Sequence, residues 1–530
     1  KRPDGSFDAR TLSTRTYDAA DRMISDTDQL GHTKSYTYDG TGHVLSERDA
    51  NGVTVLYEYD AMGRRTAAID GNGRKIATTY DLAGNAIAVT NANGETLRTS
   101  YDALGRPSVI TDALGYQTSM TYDANGNVTS ITDPNAKAPA GTPGKQPVNS
   151  MGATISKVYD ELNRVRLESD ASGKTTAYSY DLLGNRLTVT DALDQVTTFV
   201  YNDLGQHVVT KDPLIEAPTD KIISYSYDEA GNMLTKTDRK GQVTTYAYDS
   251  LNRVTSVLYA DGSMDTHAYD IYGNRNGLAN ADVGYTLGFD AKNRLTSKSD
   301  VRGSTTKSLR WTYDASDNIQ SKTGYDDDQT TYVYDGTQRL VALQNPAYLQ
   351  VSYHYDPAGR PLNRILSNGA QTDYSYDAGG FLTSLINRTG AGSDNLVSST
   401  SYTRDRLGNI LTQTDATGTT TYSYDPLYRL LSASYPTTSN NESFTYDAVG
   451  NRQTSVKNGV TQYYIYDANN RLLEIRNSTA TGTLLTANVY DANGSQIKRC
   501  VGGSVSRTAT DCSGATVSDY SWDARGRLLN

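Results

Sequence analysis

The sequence predicts an all-β fold built from tandem antiparallel β-hairpins, and three observations carry that prediction. An aromatic–aspartate pair returns every 21 residues, at Tyr17-Asp18, Tyr38-Asp39, Tyr59-Asp60, Tyr80-Asp81, Tyr101-Asp102 and Tyr122-Asp123. Two turn signals punctuate each period. Between them lie Thr, Val, Tyr and Ile, the residues strands prefer, and no helical period competes.

Beyond Tyr122 the spacing loosens, but the phrase continues through Tyr159, Tyr180, Tyr201, Tyr227, Tyr248, Tyr269, Phe289, Tyr313, Tyr334, Tyr355 and Tyr376. A degenerate copy at Arg404-Asp405 precedes Tyr424, Tyr446, Tyr466, Tyr490 and Trp522. Of these 23 copies, 22 open on an aromatic residue and 22 carry Asp second, so the repeat organises the whole chain.

The fifth position of the unit is Gly in 15 copies, among them Gly42, Gly63, Gly84, Gly105, Gly126, Gly184, Gly231, Gly273, Gly408 and Gly450. Asn or Asp fills six more, and all three residue types enter the left-handed region cheaply, so a sharp turn is demanded there. A second turn follows ten residues later, at Gly52, Gly73, Gly94, Gly115 and Gly241. Two turns per 21 residues leave two runs of about six residues, a normal strand length. The residue two before the pair is often aromatic as well, as at Tyr36, Tyr57, Tyr178, Tyr225 and Tyr246. Residues two apart share a strand face, which predicts a ladder of rings along one side of the sheet. In the second strand Leu187 and Val189 alternate, whereas Val128 and Ile131 do not, a spacing that admits a bulge.

Composition narrows the function. The chain has 530 residues, 36% of them hydrophobic, with 41 Tyr against 5 Phe and 2 Trp. Mean hydropathy is -0.59. Tyrosine brings a large apolar body and a hydroxyl that wants a partner, so this chain suits thin, half-wet walls better than thick dry cores. The net charge of -10 argues against a general nucleic-acid binder, which would carry a basic stripe. No run of about 18 apolar residues writes a membrane span. Lys1 to Gly5 reads as the middle of a repeat and no signal peptide opens the chain, so it is expected to be a segment of something longer.

Candidates for chemistry are few. The histidines, His32, His43, His207, His267 and His354, follow no spacing that binds metal or activates a nucleophile. The Asp of each pair reads as a turn residue that accepts backbone N–H groups. Asp123 to Asn127 faintly resembles a calcium loop but lacks the closing Glu, and Asp326-Asp327-Asp328 reads as a solvated hairpin tip. No enzyme and no cofactor are expected. Residues 133-150, 212-221 and 387-401 interrupt the rhythm and read as loop insertions in one repeat domain spanning 1-530. Cys500 and Cys512 sit in a hairpin extension, 497-515, where a disulfide would imply an oxidising compartment and two reduced thiols would not.

Each copy should advance a sheet by two strand spacings, so 23 copies would make a free ribbon roughly 220 Å long. Built-in twist favours coiling into a wide spiral, with an extended rod or β-helix as the other use of the same units.

The phrases YDALGR, YDLLGNRLTVTD and YDANGNVTSITD, opening at Tyr101, Tyr180 and Tyr122, resemble the tyrosine-aspartate repeats of the Rhs family. Relatives include the C subunits of bacterial Tc toxin complexes, wall-associated contact toxins and animal teneurins. The resemblance implies a spiral sheet forming a hollow shell, or cocoon, or part of one. In the bacterial toxins such a shell encloses a C-terminal toxic domain; in teneurins a comparable shell serves adhesion. Bacterial members close the shell with a segment ending in a D-P-x-G-L-like motif where self-cleavage frees the toxin. Here Asp356-Pro357-Ala358-Gly359-Arg360 lies mid-array and the sequence stops at Leu529-Asn530, so toxin and cleavage machinery lie outside this segment. The expected function is the structural shell of a secreted or surface bacterial protein, with a C-terminal toxin of the same polypeptide as partner. The acidic balance would suit a basic cargo. The alternative is an extracellular adhesin or fibre component that meets glycans or other cell surfaces, and a secretion-system partner fits either reading.

Overall fold

A computed structural model of the chain describes residues 13–136, 153–213, 222–348, 350–390, 395–502 and 515–529. Among the described residues lie 45 strands, from Ser13–Tyr17 to Thr516–Asp519, most of them five or six residues long. The pairings are antiparallel and join strands that follow one another in the chain, as short turns between extended runs dictate.

One hairpin shows the unit. Strand Thr175–Tyr180 pairs with Arg186–Thr190 through Ala177 with Thr190, Tyr178 with Val189 and Ser179 with Thr188. The register then shifts, and Tyr180 faces Arg186 with Leu187 passed over. This is a β-bulge, and the same shift recurs where Tyr38, Tyr59, Tyr80, Tyr122, Tyr159, Tyr201 and Tyr227 end their strands. It also accounts for the spacing of Val128 and Ile131. Tyr122 faces Val128 and Met120 faces Ile131, with Thr129 passed over, so residues three apart lie opposite positions two apart.

The described residues divide into two compact units, each made of two stretches of chain. Unit one combines Lys1–Thr118 with Thr266–Tyr402; unit two combines Ser119–Asp265 with Thr403–Asn530. Neither has a thick apolar core. The buried hydrophobic residues are Ala67, Ala88, Ala153, Ala433, Leu484 and Cys500, mostly small, while the large side chains stay partly exposed. Stability must come from many local clasps rather than one packed centre.

The interruptions differ from simple loops at one place. Within 387-401, Asn387 and Arg388 complete strand Leu382–Arg388, and residues 396–401 belong to Leu396–Arg404. The extra residues there lengthen a hairpin because their backbone groups can pair; residues 391–394 lie outside the described residues. Of the insertion at 133-150, a short 3-10 turn at Pro134–Ala136 is described and residues 137–150 are not. Residues 214–221 of the insertion at 212-221 likewise lie outside. Asp326 and Asp327 stand at an exposed hairpin tip, with Asp327 at φ +58°.

Candidate functional site

The Tyr-Asp pair turns and the second turns carry the chemistry of this fold. In the turn after Tyr59, the Asp60 Oδ1 accepts the backbone N–H groups of Met62 and Arg64 at 2.9 and 3.0 Å. Its Oδ2 accepts the Arg64 Nε–H at 2.8 Å. Gly63 closes the turn at φ +77°, its N–H donating to the Asp60 carbonyl. The backbone N–H of Arg64, then its guanidinium, hold the Asp60 carboxyl below the ordinary carboxylate range. The ten glycines Gly42, Gly63, Gly84, Gly105, Gly126, Gly184, Gly231, Gly273, Gly408 and Gly450 all have φ between +74° and +98°. Where the repeat has Asp21, Asn163, Asn252, Asn293, Asp317 or Asn470 instead, φ is also positive. Asp123 to Asn127 is the same turn: Asp123 Oδ1 accepts the N–H groups of Asn125 and Asn127.

A sixth position completes the clasp, and sequence reasoning passed over it although the signal was there: it is Arg or Asn in 19 of the 23 copies. The arginine bridges to the next repeat. Arg64 Nη1 donates to the Asp81 carbonyl at 2.8 Å, and its guanidinium lies 4.8 Å from the Tyr80 ring centre. Arg22 over Tyr38, Arg164 over Tyr180, Arg339 over Tyr355, Arg360 over Tyr376 and Arg429 over Tyr446 repeat that cation–π contact. Where Asn stands, as at Asn85 and Asn185, its amide holds the Asp Oδ2 and the turn closes on itself.

The tyrosine hydroxyl explains why Tyr so outnumbers Phe. Tyr59 Oη donates to the Val44 carbonyl at 2.8 Å, and Val44 is the residue facing Tyr38 at the bulge of the preceding hairpin. A bulge breaks the ladder locally, and the next tyrosine reaches back to the carbonyl beside it. Tyr38, Tyr80, Tyr101, Tyr180, Tyr201, Tyr227 and Tyr248 bond the equivalent carbonyls. So do Tyr334, Tyr355, Tyr424, Tyr446 and Tyr466. Trp522 stands in for tyrosine and its Nε1–H donates to the Gln496 carbonyl at 2.8 Å, so a donor is kept when the ring changes. Tyr122 and Tyr376 end their strands at the same bulge.

Each unit is then clasped across its two stretches, turn against turn. In unit one the second turns of the first stretch meet the pair turns of the second. Asn51 Nδ2 donates to Asp314 Oδ2 at 3.0 Å, Asn72 to Asp335 at 3.3 Å and Asn93 to Asp356 at 3.0 Å, each pair 263 residues apart. Lys292 Nζ lies 2.9 Å from Asp28 Oδ2, and Arg360 Nη1 lies 3.2 Å from Glu95 Oε1. Gly71 and Gly336 approach so closely that a Cβ on Gly71 would overlap the Gly336 carbonyl oxygen and Val53 Cγ1. Unit two repeats the scheme. Asn135 Nδ2 donates to Asp405 Oδ2 at 3.2 Å and Asn493 Nδ2 to Asp238 Oδ2 at 2.6 Å. Tyr428 Oη donates to Asp133, Lys240 pairs with Asp491, and Arg525 Nη2 lies 2.9 Å from Asp265. Burial first, then the bond to Asp133, push the Tyr428 hydroxyl above its ordinary range. A polar cleft of about 380 Å³ opens on this seam, lined by Asp191, Asp212 and Arg239 on one stretch and by Asn469, Arg471 and Asn493 on the other.

The seam should loosen in acid. Burial would raise the Asp28 carboxyl, but the Lys292 ammonium and the N–H groups of His32 and Leu30 outweigh it and lower it to about 2. A carboxyl lowered on folding contributes stability above its unfolded value near 4 and loses it as pH falls toward 2. Near-ultraviolet circular dichroism of the tyrosines should therefore stay level down to about pH 4 and change between about pH 4 and 2. A level signal throughout would remove these carboxylates from the seam's support.

The remaining candidates do not converge. His43 and His32 take turn positions beside Asp39 and Asp28, at 2.9 and 3.3 Å, and His354 bonds Asn363. Among the described residues no three His, Cys, Asp or Glu side chains gather as metal ligands would. Cys500 is buried in strand Gln496–Val501; Cys512 lies outside the described residues. No helix of the described residues is long and apolar enough to cross a membrane.

Comparison with known proteins agrees with this geometry. The chain is similar in fold to a chain of the Tc holotoxin pore of Photorhabdus luminescens, a structure that carries a TccC3 mutation, at 15% identity and a TM-score of 0.67 over 94% of this chain and 30% of that one. It is similar also to the crystal structure of TcdB2-TccC3, at 15% identity and a TM-score of 0.64, covering 98% and 37%. A third structure, TcdB2-TccC3 without its hypervariable C-terminal region, gives 14% and 0.57 over 98% and 40%. The chain thus spans about a third of the length of the solved chains it matches. No curated protein matches it. The RHS Repeat family matches residues 17–54, 38–75, 80–115, 101–138, 159–194, 227–264, 351–391 and 404–440, just over half of the sequence. With its pair turns, bulges and clasps in the places that family repeats, the chain belongs to the RHS-repeat family.

Proposed function

We propose that this chain is wall material: a shell segment that encloses a toxin carried C-terminal to it in the same polypeptide, in a secreted or surface-exposed bacterial protein. The observation that carries the reading is the turn-to-turn seam inside each unit. A row of hairpins whose turns clasp a row about 263 residues away makes a wall one sheet thick, rigid without a core, and suited to enclosing rather than to catalysis. The fold likeness to TccC3-containing structures supports it. On this reading residues 1-530 act as one wall-building domain, with 133-150, 212-221 and 387-401 as decorations. Cys500 and Cys512 close the extension 497-515 as a disulfide, in keeping with an oxidising compartment.

Peptide mapping of the native full-length product, run without reduction, tests both points. A separate C-terminal fragment that stays with the particle, and a peptide linking Cys500 to Cys512, are the expected results. An uncleaved product ending in a wall or membrane anchor would replace the container by the adhesive surface array, and alkylatable thiols at both cysteines would remove the bridge.

A further inference from the structure

In unit two the pair turns of the second stretch are spent on the seam, while those of the first stretch face solvent with a different chemistry. Their third and fourth positions read Glu161-Leu162, Leu182-Leu183, Asp203-Leu204, Glu229-Ala230 and Ser250-Leu251. Leu162, Leu182, Leu183 and Leu204 are 63–97% exposed, and Leu251 is 42% exposed. Seam-side turns of the same unit carry Pro426, Ala448, Ala468 and Ala492 at the third position. Rows of exposed leucine are uncommon on a surface that meets only water.

The row is held in place. The backbone N–H groups of Leu162, Leu183, Leu204 and Leu251 donate to Asp160, Asp181, Asn202 and Asp249 at 2.9–3.1 Å, so each leucine projects from a fixed turn. Glu161, Asp203 and Glu229 are exposed beside them and form no ion pair among the described residues. Successive pair turns lie two strands apart, about 9.6 Å. A heptad of α-helix advances about 10.5 Å.

We propose that this row is a docking surface for an amphipathic helix of a partner protein, with one apolar residue per heptad on the contact edge and Lys or Arg beside it. The near match of the two repeats lets one helix face meet leucine after leucine, and the unpaired carboxylates select positive charge. Another row of second turns is disfavoured as occupant. The seam's close approach uses small third-position residues, as Gly336 against Gly71 shows, whereas Leu182 and the acids here would hold such a row away.

The test titrates the 530-residue chain into a fluorescein-labelled helical peptide of about 28 residues, with leucine at heptad spacing and flanking lysines. Its twin carries Glu in place of Lys. The lysine peptide should bind and the twin should not. The variant Leu162→Ser/Leu183→Ser/Leu204→Ser should bind at least about tenfold more weakly, and Glu161→Gln/Asp203→Asn/Glu229→Gln several-fold more weakly with less salt dependence. Thr41, Asn125 and Ala230 already occupy the equivalent turn position, so the serine variant is expected to fold, which its melting curve checks. Equal binding by the serine variant, binding by the Glu twin, or failure of the wild-type chain to bind would overturn the proposal. So would a sedimentation result in which the wild-type chain forms a dimer that the serine variant loses, because the occupant would then be a second copy.

Discussion

Replacing Gly71 by Ala should open the seam of unit one. The added methyl would overlap the backbone carbonyl of Gly336 and the Val53 side chain, and a backbone atom clasped between two turns cannot swing away. Overpacking of this kind costs about 1–3 kcal/mol. The consequence reaches beyond one turn, since Asn72 donates to Asp335 beside the same contact and would be drawn off its acceptor. Hydrogen exchange should accelerate both around Gly71 and around Gly336, 265 residues away in sequence. Gly184→Val is the comparison. Gly184 sits at φ +92° with nothing within 4 Å of a built Cβ, so valine there meets backbone strain alone, about 1–3 kcal/mol, and should disturb only its own hairpin. If Gly71→Ala also changed exchange only locally, the turn-to-turn approach would not be holding the two stretches together.

The second large effect is expected from removing hydroxyls. Tyr180, Tyr248 and Tyr446 donate to the carbonyls of Val165, Met233 and Leu430 at 2.8–2.9 Å. Burial raises the Tyr248 and Tyr446 hydroxyls above their ordinary range, as expected of phenols kept protonated for donation. Phenylalanine keeps the ring, its packing and the cation–π contact, and deletes only the donor. Each half-buried carbonyl left without a partner should cost about 1 kcal/mol, and three separated sites about 3 kcal/mol together. Because repeat arrays open locally, hydrogen exchange of the hairpin preceding each substitution is the fitting measurement, with about a fivefold acceleration per site. Unchanged exchange at all three would mean that the tyrosines serve by their rings alone.

That second prediction marks a boundary of what sequence reasoning reaches. The pairing of Tyr with Asp, the left-handed fifth position and the strand runs were all legible, because each is a local rule with a local cause. Asp60 accepts N–H groups two and four residues on, and Gly63 turns the chain beside it. The excess of Tyr over Phe was visible too, but its reason was not. A phenol and the carbonyl it caps belong to consecutive hairpins, and they meet only once the bulge has set the register. The Arg or Asn at the sixth position was likewise in view as a pattern, while its dual task, holding its own Asp and covering the next tyrosine, needed coordinates.

By itself, then, the sequence determined the hairpin unit, its antiparallel strands, its turns and the absence of a thick core, since a 21-residue period and a tyrosine-rich composition act at short range. Only the tertiary structure decided which turns meet. Asn51, Asn72 and Asn93 find Asp314, Asp335 and Asp356 because coil and twist accumulate over many strands, and a small error per strand would move the meeting point by whole repeats. The same accumulation decided that Gly336 is pressed against a neighbour while Leu182 faces water, although both stand at the third position of the same turn.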